Sequence, residues 1–209
     1  MLIKICGLTD KKEVQYLKEN KVDFAGMVLF YEKSKRNISI NQAKEILGEL
    51  APDIKSVAVT VSPSMEQVKE IEAAGFDYIQ IHGSVDDDII SGCSILVFKA
   101  FNVEDTDKYE HYLTFDNIKG FVFDAGKPGS GKTFDWNMLK KLDRKEDKLY
   151  ILAGGLNESN VKEAIEFVKP DGVDVSSGVE LEDVVLDDGR VKTGKDPAKI
   201  EKFVSKVRM

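Results

Sequence analysis

The sequence predicts an α/β fold, a single-domain eight-stranded parallel (β/α)8 TIM barrel, and three observations carry that prediction. Short apolar runs of four to seven residues alternate with helical patterns along the whole chain, and such alternation means β-α-β units and a parallel sheet. Eight of these units fit into 209 residues, which favours a closed barrel over an open doubly wound sheet. The seventh and eighth strands both run into Gly/Ser clusters, Ala153-Gly154-Gly155 and Ser176-Ser177-Gly178. In barrels of this kind the loops after those two strands form the usual phosphate site.

Taken in order, Leu2-Ile3-Lys4-Ile5 reads as the first strand, with a helix from about Asp10 to Asn20. Phe24 to Phe30 is the second strand, and its helix runs from about Asn41 to Leu50. Ser56 to Val61 is the third, followed by a helix from Met65 to Ala74. Tyr78-Ile79-Gln80-Ile81 is the fourth, followed by a short acidic segment. Ile95 to Ala100 is the fifth, with a weaker helix near Asp105 to Tyr112. Gly120 to Phe123 is the sixth, with a helix from Trp136 to Leu142. Tyr150 to Ala153 and Gly172 to Val175 complete the eight, joined by an amphipathic helix from Glu158 to Val168. Pro197 to Val207 closes the ring. The insert Glu180 to Lys195, with Asp187-Asp188-Gly189 as its turn, reads as a surface excursion before that last helix. No Gly/Ser/Pro linker or shift of composition divides residues 1–209.

Composition narrows the function. Hydrophobic residues make up 42% and charged residues 32%, enough for a core and a well-solvated surface. A net charge of −7 argues against nucleic-acid or anionic-membrane partners, so any charge that binds phosphate must be local. Two cysteines, Cys6 and Cys93, imply no disulfide framework and fit a reducing compartment, so a cytoplasmic protein is expected. No apolar run reaches membrane-spanning length, and the first strand begins too early to leave room for a signal peptide.

In such a barrel the chemistry belongs at the carboxyl ends of the strands. That nominates Cys6, Arg36, His82, Asp124 with the Gly-rich loop after it, and the two Gly/Ser loops. Strand parity turns Lys4 inward together with Cys6, while Ile3 and Ile5 face the helices. Gly154, Gly155, Ser176, Ser177 and Gly178 offer bare backbone N–H groups to an anion; the plainer alternative is that the glycines make tight turns. Gly126 to Thr133 matches the G-x-x-x-x-G-K-[ST] phosphate loop letter for letter. That mechanism needs a helix starting at the Lys-Thr, and here Asp135 is the better N-cap, so a glycine-rich lid with Lys132 as a charge contact is preferred. Cys6 as an inert buried thiol, Asp124 as a loop cap and Arg36 as a solvated loop cation remain open alternatives. His82 reads as a structural histidine beside Gln80. Two histidines and two distant cysteines give no metal-ligand spacing, and no cofactor is expected.

Lys4-Ile5-Cys6-Gly7, Lys33-Ser34-Lys35-Arg36, Gln80-Ile81-His82-Gly83, Phe123-Asp124, Gly131 to Trp136, Ala153 to Asn157 and Asp174 to Glu180 fall in order across the chain. Together they resemble phosphoribosylanthranilate isomerase. The resemblance implies a cofactor-free enzyme of tryptophan biosynthesis acting on a small phosphorylated substrate, as a monomer or homodimer. Its reaction is an Amadori rearrangement of N-(5-phosphoribosyl)anthranilate to 1-(2-carboxyphenylamino)-1-deoxyribulose 5-phosphate. It implies Cys6 as general base and Asp124 as general acid. Arg36 is then the partner of the anthranilate carboxylate, since a planar fork suits a planar anion. Lys4, His82, Gly131, Lys132 and Asp174 are the other implied substrate contacts. Lys35 stands where the family pattern has proline, so that loop is expected to be less rigid, and the Ala125 to Ser130 loop is shorter than usual. Rival readings are another phosphosugar barrel enzyme, of epimerase or indole-glycerol phosphate synthase type, and a non-catalytic phosphate- or nucleotide-binding module.

Overall fold

A computed structural model of the chain describes residues 1–102, 108–124, 139, 142–185 and 191–209. Eight parallel strands follow one another around a closed barrel in chain order. β1 (Leu2–Cys6) pairs with β2 (Phe24–Val28) on one side and with β8 (Gly172–Val175) on the other. Between them lie β3 (Lys55–Val61), β4 (Tyr78–His82), β5 (Leu96–Asn102), β6 (Ile118–Asp124) and β7 (Leu149–Ala153). The helices are α1 (Val14–Glu19), α2 (Ile40–Glu49), α3 (Met65–Ala74), α4 (Asp87–Gly92), α5 (Tyr109–Tyr112), α6 (Val161–Val168) and α7 (Pro197–Arg208).

Local chemistry starts and stops these elements. Ser39 and Ser64 each form a capping box with the glutamine three residues on, Gln42 and Gln67. Asp196 accepts from the Ala198 and Lys199 N–H groups ahead of Pro197. Gly75, at φ 92°, ends α3 in a conformation that suits glycine.

Several sequence expectations need correction. The acidic segment after β4 contains a helix, α4. β2 stops at Val28 because Phe30 takes a left-handed φ of 57°, which no strand accommodates. The helix expected from Glu158 begins at Val161, after a turn. Of the weaker helix near Asp105, only α5 lies within the described residues, and the Trp136 to Leu142 helix falls largely outside them. The insert before α7 holds a small hairpin, β9 (Val184–Val185) paired antiparallel with β10 (Val191–Lys192); its expected Asp187-Asp188-Gly189 turn lies outside the described residues. Its two ends are not surface. Glu180 and Lys195 pair as an antiparallel bridge and are 5% and 1% exposed, because each is the other's ion partner under the barrel mouth.

Parity behaves as the sequence predicts. Ile3 and Ile5 pack in the layer between strands and helices, whereas Cys6 belongs to the cluster inside the barrel. At the amino-terminal end that interior is plugged by rings: Phe24 packs edge-on to Tyr78 and Phe98, with centroids 5.6 and 5.5 Å away. Burying such a side chain is worth roughly 1.5–3 kcal/mol. The same end carries a repeated polar device. Asp23, Asp77 and Asp171, each just ahead of a strand, accept from the backbone N–H groups of Ile3, Ser56 and Tyr150 at 2.8–2.9 Å. One end of the barrel is therefore packed and tied for stability, which leaves the carboxyl end for chemistry.

Candidate active site

Lys4 and Cys6 share the inward face of β1, so their side chains lie one above the other in the barrel. Lys4 is 1% exposed and pairs with Asp174 of β8 at 2.8 Å, its Cα partner in the ladder. The Cys6 thiol lies near the same amine, and the two are coupled electrostatically. Room for both comes from Gly26 on β2, where a Cβ would sit 3.0 Å from Lys4 Nζ and 3.1 Å from Cys6 Sγ. Burial pulls the Lys4 amine down, but Asp174 and Cys6 outweigh burial and hold it above the ordinary lysine value. For Cys6 the balance goes the other way: burial raises the thiol, Lys4 and Lys195 lower it less, and the net shift is upward. Asp174 Oδ1 has no hydrogen-bond donor among the described residues.

Arg36 comes from the loop after β2 and lies across the mouth beside Cys6. Gly7, at φ 80°, makes that approach possible, since a Cβ there would overlap the Arg36 side-chain stem. The guanidinium donates through Nε and Nη2 to the two oxygens of Glu180, the second bond measuring 3.0 Å. Glu180 also takes Lys195 at 3.1 Å. Burial pushes the Glu180 carboxyl up, but its bond to Arg36 and the charges of Lys195 and Arg36 outweigh burial and set it at about 2. Lys35, in the position where proline was expected, bonds both oxygens of Asp183 at 2.6 and 2.7 Å. Ion pairs therefore hold the loop where a rigid ring would otherwise do so.

The two Gly/Ser loops touch. A Cβ on Gly178 would overlap the Leu156 carbonyl and come within 3.1 Å of Asn157, so this glycine is needed by loop packing itself. Gly154 and Gly155 both have positive φ, 88° and 62°. The Gly155 carbonyl accepts from the Asn157 and Asn160 amides at 3.3 and 3.0 Å. Ser177 opens a single 3-10 turn whose own bonds start at Val179 N–H, so the Ser177 and Gly178 N–H groups have no partner within that turn. The Ser176 hydroxyl donates to the Cys6 carbonyl at 2.9 Å, tying the eighth loop to the first strand.

His82 ends β4 and points inward, within 2.8 Å of the Gln80 amide. Burial, with the charges of Lys4 and Lys99 adding, lowers its imidazole to about 4, so it is neutral near pH 7. Asp124 is the last residue of β6, in register with Asn102 and Ala153 and across the mouth from Cys6, with β7 and β8 between the two strands. Gly131 and Lys132 lie outside the described residues. The structure thus pairs Lys4 with Asp174 beside Cys6, and links Arg36 to the Cys6 backbone through Glu180, Lys195 and Ser176. It adds residues that the sequence reading passed over: Gly7, Gly26, Glu180, Lys195 and Glu13. Glu13, 5% exposed, accepts from the Thr9 and Lys195 N–H groups at 2.7 and 2.6 Å and so joins the first and last units of the ring. Among the described residues no group of three or more His, Cys, Asp or Glu side chains is placed to hold a metal ion.

The fold agrees with what comparison with known proteins finds. A family model described as N-(5'-phosphoribosyl)anthranilate (PRA) isomerase matches residues 3–206. The N-(5'-phosphoribosyl)anthranilate isomerase of Thermoanaerobacter pseudethanolicus is 39% identical over 212 residues, covering 99% of this chain and 97% of that protein. The solved phosphoribosyl anthranilate isomerase of Thermotoga maritima superposes with a TM-score of 0.81 at 33% identity, covering 100% and 98% of the two chains. A further solved phosphoribosyl anthranilate isomerase, in complex with reduced 1-(o-carboxyphenylamino)-1-deoxyribulose 5-phosphate, superposes at 0.76 with 30% identity over 100% and 98%. With a match over almost its whole length, the chain belongs to the N-(5'-phosphoribosyl)anthranilate isomerase family.

Proposed function

We infer that residues 1–209 form one catalytic domain that isomerises N-(5-phosphoribosyl)anthranilate to 1-(2-carboxyphenylamino)-1-deoxyribulose 5-phosphate in tryptophan biosynthesis. The observation that carries the mechanism is the buried Lys4–Asp174 pair with the Cys6 thiol against it, across the mouth from Asp124. Asp124, as general acid, protonates the ring oxygen; the C1–O bond breaks and the anilino nitrogen's electron pair forms a protonated Schiff base. Cys6, as thiolate, then removes the C2 proton, the electrons flow into the iminium, and the enolamine tautomerises to the aminoketone. Because burial holds the free Cys6 thiol up, the Schiff-base cation is what tips it to thiolate, with Lys4 beside it. The base is thereby switched on by the intermediate it acts upon.

Arg36 takes the anthranilate carboxylate. The phosphate is held by backbone N–H groups of Gly154, Gly155, Ser177 and Gly178, with Ser176 contributing through its backbone because its hydroxyl already serves Cys6. His82, neutral, and Asp174 shape the polar floor, and Gly131 and Lys132 belong to a lid over the substrate. The protein works in the cytoplasm on a small phosphorylated molecule, as a monomer or homodimer, with no cofactor and no nucleic-acid or membrane partner. Among the described residues, no helix is long and apolar enough to cross a membrane.

Incubation with phosphoribosylanthranilate tests the reading: its fluorescence decays without added metal or nucleotide. No decay with folded protein rejects it. Titration calorimetry with Mg-ATP gives no heat of binding, whereas micromolar affinity restores the nucleotide-binding rival for Gly126 to Thr133.

A further inference from the structure

We propose that Glu180 is a positioning residue for substrate recognition: it occupies the Nε–Nη2 edge of Arg36 and thereby turns the Nη1–Nη2 edge toward the substrate's carboxylate. This rests on the reading of Arg36 as that carboxylate's partner. A guanidinium has five N–H donors in a rigid plane, and the plane presents two edges able to grip a carboxylate in bidentate fashion. Glu180 uses one donor from Nε and one from Nη2, leaving three that it does not use, two of them on Nη1.

Glu180 is itself fixed. Its carboxylate is 5% exposed and shared with the fully buried Lys195 amine at 3.1 Å. Lys195 is in turn held by the Ser176 carbonyl at 3.3 Å and, through its backbone N–H, by Glu13 at 2.6 Å. The Ser176 hydroxyl closes the circuit on the Cys6 carbonyl at 2.9 Å. Lys35 adds a third, partly exposed cation to Glu180 at 3.3 Å. Three cations thus converge on one carboxylate, and the orientation of Arg36 is fixed relative to the backbone of Cys6. A flexible side chain at the mouth would lose rotamer entropy on gripping the substrate; a clamped one has already lost it. The excursion between Glu180 and Lys195 therefore begins and ends on the two residues that lock the carboxylate-reading arm.

The test compares Glu180→Gln and Glu180→Asp with wild type and Arg36→Met. Steady-state kinetics with phosphoribosylanthranilate should show KM raised about 10- to 100-fold in Glu180→Gln, on the scale of one charge-assisted hydrogen bond lost or misaligned, with kcat changed much less. Inhibition by reduced product analogues with and without the ring carboxylate supplies the specificity readout: wild type prefers the carboxylated form, and Glu180→Gln loses most of that preference. In the Arg36→Met background, Glu180→Gln should add little further to KM, since the group it positions is gone. Glu180→Asp keeps the charge for Lys195 and so preserves folding if Gln does not, yet withdraws the carboxylate from Arg36; it too raises KM. Unchanged KM and analogue preference in Glu180→Asp, or additive effects in the double variant, overturn the proposal while isomerase activity stands. Absence of turnover in wild type instead removes the reading on which it rests.

Discussion

Cys6 and Cys93 are both buried, but Cys6 has two lysines acting on it, Lys4 and Lys195, whereas at Cys93 the effect of Glu72 precedes that of Lys69. Cys93 has its thiol pushed up to about 11 by burial and by Glu72. Alkylation by iodoacetamide should therefore find Cys6 first, its rate rising with pH past the ordinary thiol range without levelling off, and bound product analogue should protect it. A plateau near pH 7 shows instead a preformed thiolate and removes the role given to the Schiff-base cation. Kinetics test the acid and base directly. Cys6→Ser and Asp124→Asn should each lose roughly 10²–10⁴-fold in kcat with a smaller change in KM, whereas Arg36→Met acts chiefly on KM. Near-normal kcat in Cys6→Ser across neutral pH means that the thiol is not the base. At this scale the sequence was legible where parity or a strand end decided matters, as for Lys4, Cys6 and Asp124. It was silent on Gly26 and read Glu180 and Lys195 as the ends of a surface excursion, because their roles come from neighbours 20 or more residues away or across the hairpin.

Elements bounded by strong local chemistry were read from the sequence to within a residue at each end, and α3 with both ends intact. α3 runs from Met65 to Ala74 as expected, because Ser64 caps one end and Gly75 stops the other. α4 was missed because six residues with two acids show no apolar periodicity, and only packing of Ile90 into the outer layer makes it a helix. The phosphate loops were legible as glycine-rich strand ends, but the reason for Gly178 was not, since it depends on the Leu156 carbonyl of the neighbouring loop. That distinction yields a prediction. Gly178→Ala should destabilise the fold by about 1–3 kcal/mol, as overpacking against backbone does, in urea titrations without any ligand. Gly155→Val meets open space but a positive φ, so it should distort the loop and raise KM about 10- to 100-fold by misdirecting N–H donors. Ser177→Ala should leave KM nearly unchanged; a large rise there, with normal folding, means that the hydroxyl rather than the backbone binds phosphate.

For the molecule as a whole, closure of the barrel concentrates polar groups inside it, and their protonation couples to stability. The two clearest groups act over separate pH windows. His82 has an imidazole lowered from 6.5 to about 4 by burial first, then by Lys4 and Lys99. The unfolded chain thus binds a proton below pH 6.5 that the folded chain refuses, and stability falls as pH drops from 6.5 toward 4. Glu180 has a carboxyl lowered from 4.5 to about 2 by Arg36 and Lys195 despite burial. Its contribution is present above pH 4.5 and is lost as pH falls toward 2. Both slopes have the same sign, but substitution separates them. His82→Gln keeps a polar neighbour for Gln80 and removes the titration, so its urea midpoint should vary less than wild type between pH 7 and pH 5. Glu180→Gln should retain the wild-type slope in that range and flatten only below pH 4.5. The other histidine, His111, is exposed on α5 beside Asp87, and its substitution by glutamine serves as the control. If His82→Gln and wild type lose the same stability between pH 7 and pH 5, the upper window does not belong to His82, and a buried neutral imidazole is not what the barrel interior holds.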